Sequence, residues 1–151
     1  AIPDQLIDYT WGREHTFYDG SDGRLEHIEF AEPFDRDLRN KLVSIAQATG
    51  EVTCSGICAV TQGPRLETGA EIGRLARDGC TMVGMTLLPE ASLARELGIA
   101  YAACAVAVNF AAGLGPGDVD IHDQFERYAA DGMRRVAEFI ETLLPALIST
   151  D

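Results

Sequence analysis

Short apolar runs that alternate with helix-spaced segments constrain this chain more than any other feature. Ile57–Thr61, Cys80–Met85 and Tyr101–Val108 are strand-length apolar runs, and the stretches between them carry helix signals. Thr68 followed by Glu71 is a capping box, and Ile72, Leu75 and Ala76 continue at helical spacing until Gly79. Pro89 suits the first turn of a second helix, with Leu93 and Leu97 inward and Gly98 as its stop. Strands and helices in strict alternation predict an α/β fold with a mainly parallel sheet covered on both faces. Tyr101–Val108 is almost wholly apolar, which suits a strand hidden on both sides. Ligands of such sheets bind outside the carboxyl ends of the strands. Here those ends are Gln62 to Glu67, Met85 with Thr86, and Asn109, and they are expected to line one crevice.

The flanking regions fit the same plan. Leu6–Thr10 reads as a further strand, and Trp11–Arg24, with turn signals at Asp19-Gly20 and Asp22-Gly23, as an ordered surface loop. Asp35–Thr49 places Leu38, Leu42, Ile45 and Ala46 at helical spacing between Pro33 and Gly50. After the Gly-rich linker Ala111–Gly117, Asp120 is expected to cap a terminal helix. Its inward stripe reads Ile121, Phe125, Tyr128, Ala129, Val136, Phe139, Ile140, Leu143 and Leu147.

A chain of 151 residues, 46% hydrophobic and 24% charged, suits one globular domain rather than a disordered segment. Its apolar runs are broken by Gly, Pro or charge before any could span a bilayer. A net charge of −12 argues against nucleic acid or an anionic membrane as partner. Any bound phosphate must therefore be held by local donors. Cys54 and Cys58 have no second close pair and no adjacent His, so reduced thiols in a cytoplasmic protein are expected in preference to a zinc site or a disulfide. No metal site is expected. The chain opens on Ala1-Ile-Pro-Asp-Gln without Met or a starter element, and reads as one entered partway through.

The residues at the strand ends each allow two readings. Glu67 is either a solvated carboxylate favoured by the following helix N-terminus or an acceptor for a ligand N–H. Asn109 either ties down its loop or offers a donor and an acceptor to a planar ligand. Thr86 is either a cap or a hydroxyl that helps hold an anion. Among the histidines, His15 and His27 fall before the first helix and His122 opens the last. No nucleophile elbow and no dinucleotide fingerprint is present, since Gly113-x-Gly-x-Gly has the wrong spacing. From residue chemistry alone, the crevice suits a neutral planar ligand.

Gly63-Pro-Arg-Leu-Glu-Thr, Val83-Gly-Met-Thr with Pro89-Glu90, Ala94-Arg-Glu-Leu-Gly and Asn109-x-Ala-Ala-Gly together resemble the trimeric purine nucleoside phosphorylase and methylthioadenosine phosphorylase family. The early Leu6-Ile-Asp-Tyr-Thr-x-Gly-Arg-Glu-His-Thr-Phe, with His27 and Ala31-Glu-Pro-Phe, looks most like the methylthionucleoside branch. The resemblance implies a phosphorylase-like three-layer α/β fold with a mixed, mainly parallel central sheet, here lacking its N-terminal half. It implies phosphorolysis of a purine nucleoside, with S-methyl-5′-thioinosine foremost, to free base and (methylthio)ribose 1-phosphate. Inorganic phosphate is then the co-substrate and no cofactor is needed.

By the same resemblance, Asn109 carries catalysis by hydrogen-bonding N7 and the 6-substituent as negative charge moves onto the purine. Glu67 accepts from N1–H of a 6-oxopurine, Leu66 stands where many relatives stack an aromatic on the base, and Ala111 replaces a second Asp of adenine-specific members. Met85 lies along the ribose, Thr86 binds phosphate, and His27 reaches the 5′ group of a neighbouring subunit in a homotrimer. A hydrophobic 5′ pocket falls near Ile121 and His122. The family's Gly-rich phosphate loop and Arg-His pair are absent from these residues, and Arg65 is not used for phosphate in the family. The chain thus reads as a C-terminal portion needing a missing N-terminal half. The alternatives are an enzyme for methylthioadenosine or for inosine and guanosine, or a catalytically silent base-binding or assembly domain.

Overall fold

The computed structural model describes residues 1–50, 52–115 and 121–148. Three strands, β1 (Gln5–Tyr9), β2 (Ile57–Thr61) and β3 (Cys80–Gly84), form one sheet in the order β1-β2-β3. Both pairings are parallel, with Ile7 opposite Ala59 and Ala59 opposite Val83. Four helices stand among the described residues: α1 (Arg36–Thr49), α2 (Gly69–Arg77), α3 (Leu87–Glu96) and α4 (Ile121–Ile148).

Because side chains alternate along a strand, β2 shows how the layers are built. Cys58, Ala59 and Val60 are all buried, so neither face of the central strand meets water. Ala59 packs with Ile72 and Leu75 of α2 on one face, and Val60 packs with Leu88 and Ala91 of α3 on the other. This is a helix–sheet–helix α/β arrangement, and it leaves the carboxyl ends of the strands open on one side. All four cysteines are free thiols, and burial pushes the Cys58 thiol up to about 11. No described helix is long and apolar enough to cross a membrane.

The local signals govern the helix starts. Asp35 accepts from Leu38 N at 2.8 Å as the N-cap of α1. At α2 both halves of the capping box form, Glu71 N donating to Thr68 Oγ1 and Thr68 N to the Glu71 carboxylate. Leu88 is extended (φ −118°, ψ 139°), so the regular turns of α3 start at Pro89. Leu97 follows α3 as an exposed C-cap rather than an inward residue, and Leu88 and Ala91 take the buried positions instead.

Two larger expectations are corrected. The stretch 101–108 joins no sheet, and Cys104, Ala105 and Ala107 are exposed. Its backbone meets the chain's start, where Ala1 and Ala105 exchange both N–H···O bonds at 2.8 Å. An apolar run states only that side chains avoid water. It does not supply the neighbouring strand whose N–H and C=O groups complete a ladder. On α4, Phe139 is buried with Ile2, Leu42 and Ala46, and Leu143 packs beside them, but Phe125, Tyr128 and Ile140 are exposed. The strip of α4 that meets α1 and the chain start carries Phe139 and Leu143 into the apolar core. Gly132 lets α4 pass close to the 101–108 stretch, since a Cβ there would stand 2.2 Å from Val106 Cγ1. The expected cap Asp120 and the side chains of Ile121 and His122 lie outside the described residues.

Candidate active site

The carboxyl end of β2 turns sharply at Gly63, whose φ of 60° lies in the left-handed region. A Cβ at this position would stand 2.3 Å from Met85 Sδ, so the loops after β2 and β3 are in direct contact there. The loop after Asn109 arrives at the same end of the sheet. Ala112 O lies 3.8 Å from the position a Gly69 Cβ would take, at the start of α2, and Ala111 packs against the Ala59–Ile72–Leu75 cluster.

A cavity of about 350 Å³ opens beside these turns, walled by Tyr9, Trp11, Thr61, Gln62, Gly63, Arg65, Glu67, Glu71, Arg74 and Leu75. Glu67 is half-buried in its wall, and Thr61 Oγ1 donates to Glu67 Oε1 at 2.6 Å. A hydroxyl carries one proton, and the shorter, charge-assisted bond to the carboxylate takes it in preference to Gly84 O at 3.3 Å. Glu67 is thereby fixed in orientation while keeping acceptor capacity for a ligand N–H.

The charges around Glu67 are largely committed. Arg65 grips both carboxylate oxygens of Glu71 at 2.9 Å and also donates to Leu66 O. That grip, with the Thr68 backbone N–H, holds Glu71 down to about 2. Arg74 sits 5.7 Å from the Tyr9 ring and 3.8 Å from Asp78. Tyr9 donates to Asp78 Oδ2 at 2.7 Å, which raises the phenol to about 12.

The expected site residues divide. Glu67 is in the cavity wall. Met85 touches its rim through Gly63, but Met85, Thr86, Leu66 and Asn109 are not among the lining residues. Thr86 is exposed at the N-cap of α3 and makes no side-chain cap bond, so its hydroxyl is not used to start the helix. Leu66 is 48% exposed. Asn109 turns its amide onto its own neighbour, Nδ2 donating to Phe110 O at 2.8 Å, while Phe110 N donates to Gln124 of α4. The stretch 101–108 forms no ladder with β3 that would carry Asn109 to the sheet edge. His27 is exposed on the loop before α1. His15 lies 3.4 Å from Thr10 Oγ1 and 3.9 Å from Asp8.

Sequence reasoning assigned no role to Arg13, which the structure makes prominent. Its Nε donates to Gln62 Oε1 at 3.1 Å. Its Nη2 donates to Thr61 O at 3.2 Å and Gln62 O at 3.0 Å, and its Nη1 to Met85 O at 2.8 Å and to Leu88 O. The only hint in the sequence was an arginine in a turn-rich loop directly after a strand end. Thr61 gave no more, since a polar residue closing an apolar strand is common. Among the described residues no three His, Cys, Asp or Glu side chains gather in a way that could hold a metal ion.

The family model of the phosphorylase superfamily matches residues 1–145. A probable S-methyl-5′-thioinosine phosphorylase of Xanthomonas campestris is 52% identical over 116 residues, covering 76% of this chain and 46% of that protein. One from Pseudomonas syringae is 45% identical over 147 residues, covering 97% of this chain and 59% of its own length. The methylthioadenosine phosphorylase of Schistosoma mansoni in complex with adenine superposes with a TM-score of 0.87 at 28% identity, over 99% of this chain and 59% of that one. The chain spans about half the length of the curated relatives it matches.

Proposed function

This chain belongs to the phosphorylase superfamily, and from that premise we propose that it holds the base and part of the ribose in the phosphorolysis of a purine nucleoside. The observation that carries the reading is Glu67, set in the cavity wall at the strand ends and oriented by Thr61 at 2.6 Å. A fixed carboxylate accepts a hydrogen bond from N1–H, which 6-oxopurines have and adenine lacks. The 6-oxopurine preference is further supported by relatives named as S-methyl-5′-thioinosine and 6-oxopurine nucleoside phosphorylases.

In the reaction a phosphate oxygen bonds to C1′ as the C1′–N9 bond breaks, and the bonding electrons move onto the purine. Glu67 grips N1–H, and Asn109, released from Phe110 O, donates to N7 as that nitrogen gains charge. Met85 lies along the ribose, and the uncommitted hydroxyl of Thr86 contacts phosphate. Arg65 grips Glu71 and Arg13 is held by backbone and amide oxygens, and by the family resemblance the cation that neutralises phosphate comes from an N-terminal half, completing a single catalytic domain. We place the enzyme in the cytoplasm as a homotrimer, with the exposed His27 reaching the neighbouring subunit's 5′ group.

Incubating the intact protein with phosphate and methylthioinosine or inosine is expected to release hypoxanthine. Asn109→Ala is expected to lower kcat/KM by about 100-fold, the scale of losing one donor to a developing anion. Absence of phosphate-dependent base release from every purine nucleoside tried would end this reading. A second reading, a catalytically silent base-binding domain, is favoured by the same committed arginines. It requires hypoxanthine binding without turnover by a lone 16.3 kDa polypeptide, which mass spectrometry of the purified protein identifies.

A further inference from the structure

Resting on the phosphorylase reading, we infer that Arg13 is a positioning residue that sets the distance between the base-holding loop after β2 and the ribose- and phosphate-holding loop after β3. A guanidinium carries five N–H donors in a rigid planar fork. In Arg13 all five are spent on protein oxygens. Three go to Thr61 O, Gln62 O and Gln62 Oε1 at the end of β2, and two to Met85 O and Leu88 O beyond β3.

Both loops are therefore pinned to one flat, stiff group, within one residue of Gly63 on one side and of Thr86 on the other. Gln62 Oε1 also accepts from Trp11 N at 3.2 Å, which closes the loop carrying Arg13 onto the same anchor. No carboxylate is paired with Arg13 among the described residues, so its acceptors are backbone and amide oxygens alone. With no donor left over, Arg13 cannot bind a ligand itself. What it controls is where Glu67 stands relative to Met85 and Thr86.

The molecule supplies its own comparison. Arg39 staples backbone carbonyls in the same way, donating to Pro3 O at 2.9 Å, Ile2 O at 3.4 Å and Cys54 O. Those carbonyls precede β1 and β2, at the opposite end of the sheet. Arg39 and Arg13 thus separate what a carbonyl staple does for stability from what its position does for the crevice.

The experiment compares Arg13→Met, Arg13→Lys and Arg39→Met in the intact enzyme. It reads thermal midpoint, kcat and KM for phosphorolysis of inosine well below each midpoint, and hypoxanthine affinity by equilibrium binding. Lysine keeps the charge but not the fork, so it is expected to behave like methionine. Both Arg13 variants should lose about 100-fold in kcat, the scale of a misplacement of about 1 Å between reacting groups. Hypoxanthine affinity should stay within about threefold, because Thr61 still orients Glu67 inside its own loop. Arg39→Met should lower the midpoint while kcat stays within about twofold.

Folded Arg13 variants with near-wild-type kcat would overturn the inference. So would a hypoxanthine affinity that falls as far as kcat, since one loop rather than the relation between loops would then be lost. Failure of both Arg13 variants to unfold cooperatively, while Arg39→Met folds, would assign Arg13 to stability and overturn it too. A wild type that releases no base overturns the phosphorylase reading and this inference together, an outcome distinct from an active wild type with active Arg13 variants.

Discussion

Replacing Gly63 by alanine adds one methyl group at the point where the two crevice loops touch. Its φ of 60° already disfavours any residue with a Cβ, a cost of about 1–2 kcal/mol. The new Cβ would stand 2.3 Å from Met85 Sδ, 3.2 Å from its Cε and 3.3 Å from its Cγ. Comfortable contact between such atoms needs about 3.5–4.0 Å, so the thioether must retreat by more than 1 Å or so. Methionine is flexible, which places the repacking cost at the lower end of the usual range, about 1 kcal/mol. The sum is about 2–3 kcal/mol, and Met85 is displaced where the two loops meet.

Urea denaturation of the intact protein measures this as a lower midpoint at unchanged slope. In a Met85→Ala background the same substitution should cost only the conformational part, leaving a coupling energy of about 1 kcal/mol between the two positions. Phosphorolysis kinetics should show the clash as a loss of kcat/KM in Gly63→Ala that is absent from the effect of Gly63→Ala upon Met85→Ala. A stability cost below about 0.5 kcal/mol, or one indifferent to the residue at position 85, would refute the contact between the loops.

Thr61→Val keeps the shape of the side chain but removes the hydroxyl that orients Glu67, a charge-assisted bond worth about 1.5 kcal/mol at a half-buried site. A roughly tenfold drop in kcat/KM for inosine is expected. That drop should vanish when Glu67 is already glutamine, and additive losses in the double variant would show that Thr61 does not act through Glu67. The Glu71 carboxyl supplies a pH dependence. Arg65 lowers it from 4.5 to about 2, so its contribution to stability is complete above 4.5 and is lost as pH falls from there through about 2. Urea midpoints of the wild type should therefore fall more steeply across that window than those of Glu71→Gln, and parallel profiles would contradict the assignment.

Much of the fold was legible because its causes are local. Thr68 and Glu71 cap α2 through bonds three residues apart, and Asp35 does the same for α1. Burial of Cys58, Ala59 and Val60 in succession follows from an apolar run too short to be a helix. The carboxyl ends of β2 and β3 could be located once those strands were placed, and with them Glu67 and Met85. The Thr61–Glu67 bond spans only six residues, yet it depends on the turn at Gly63, and residue types alone do not reveal that geometry.

What the order of residues determined, then, was the alternation of strands and helices, their caps, and the crevice end of the sheet, because each depends on neighbours within a few positions. Tertiary structure decided the rest. It left 101–108 outside the sheet, since a ladder needs a partner strand that no local pattern can name. It chose which face of α4 meets α1, and it brought Arg13 to carbonyls at positions 61, 62, 85 and 88. Those contacts cross up to 75 residues of chain. Their energy resides in a three-dimensional meeting of donors and acceptors that composition and spacing do not encode.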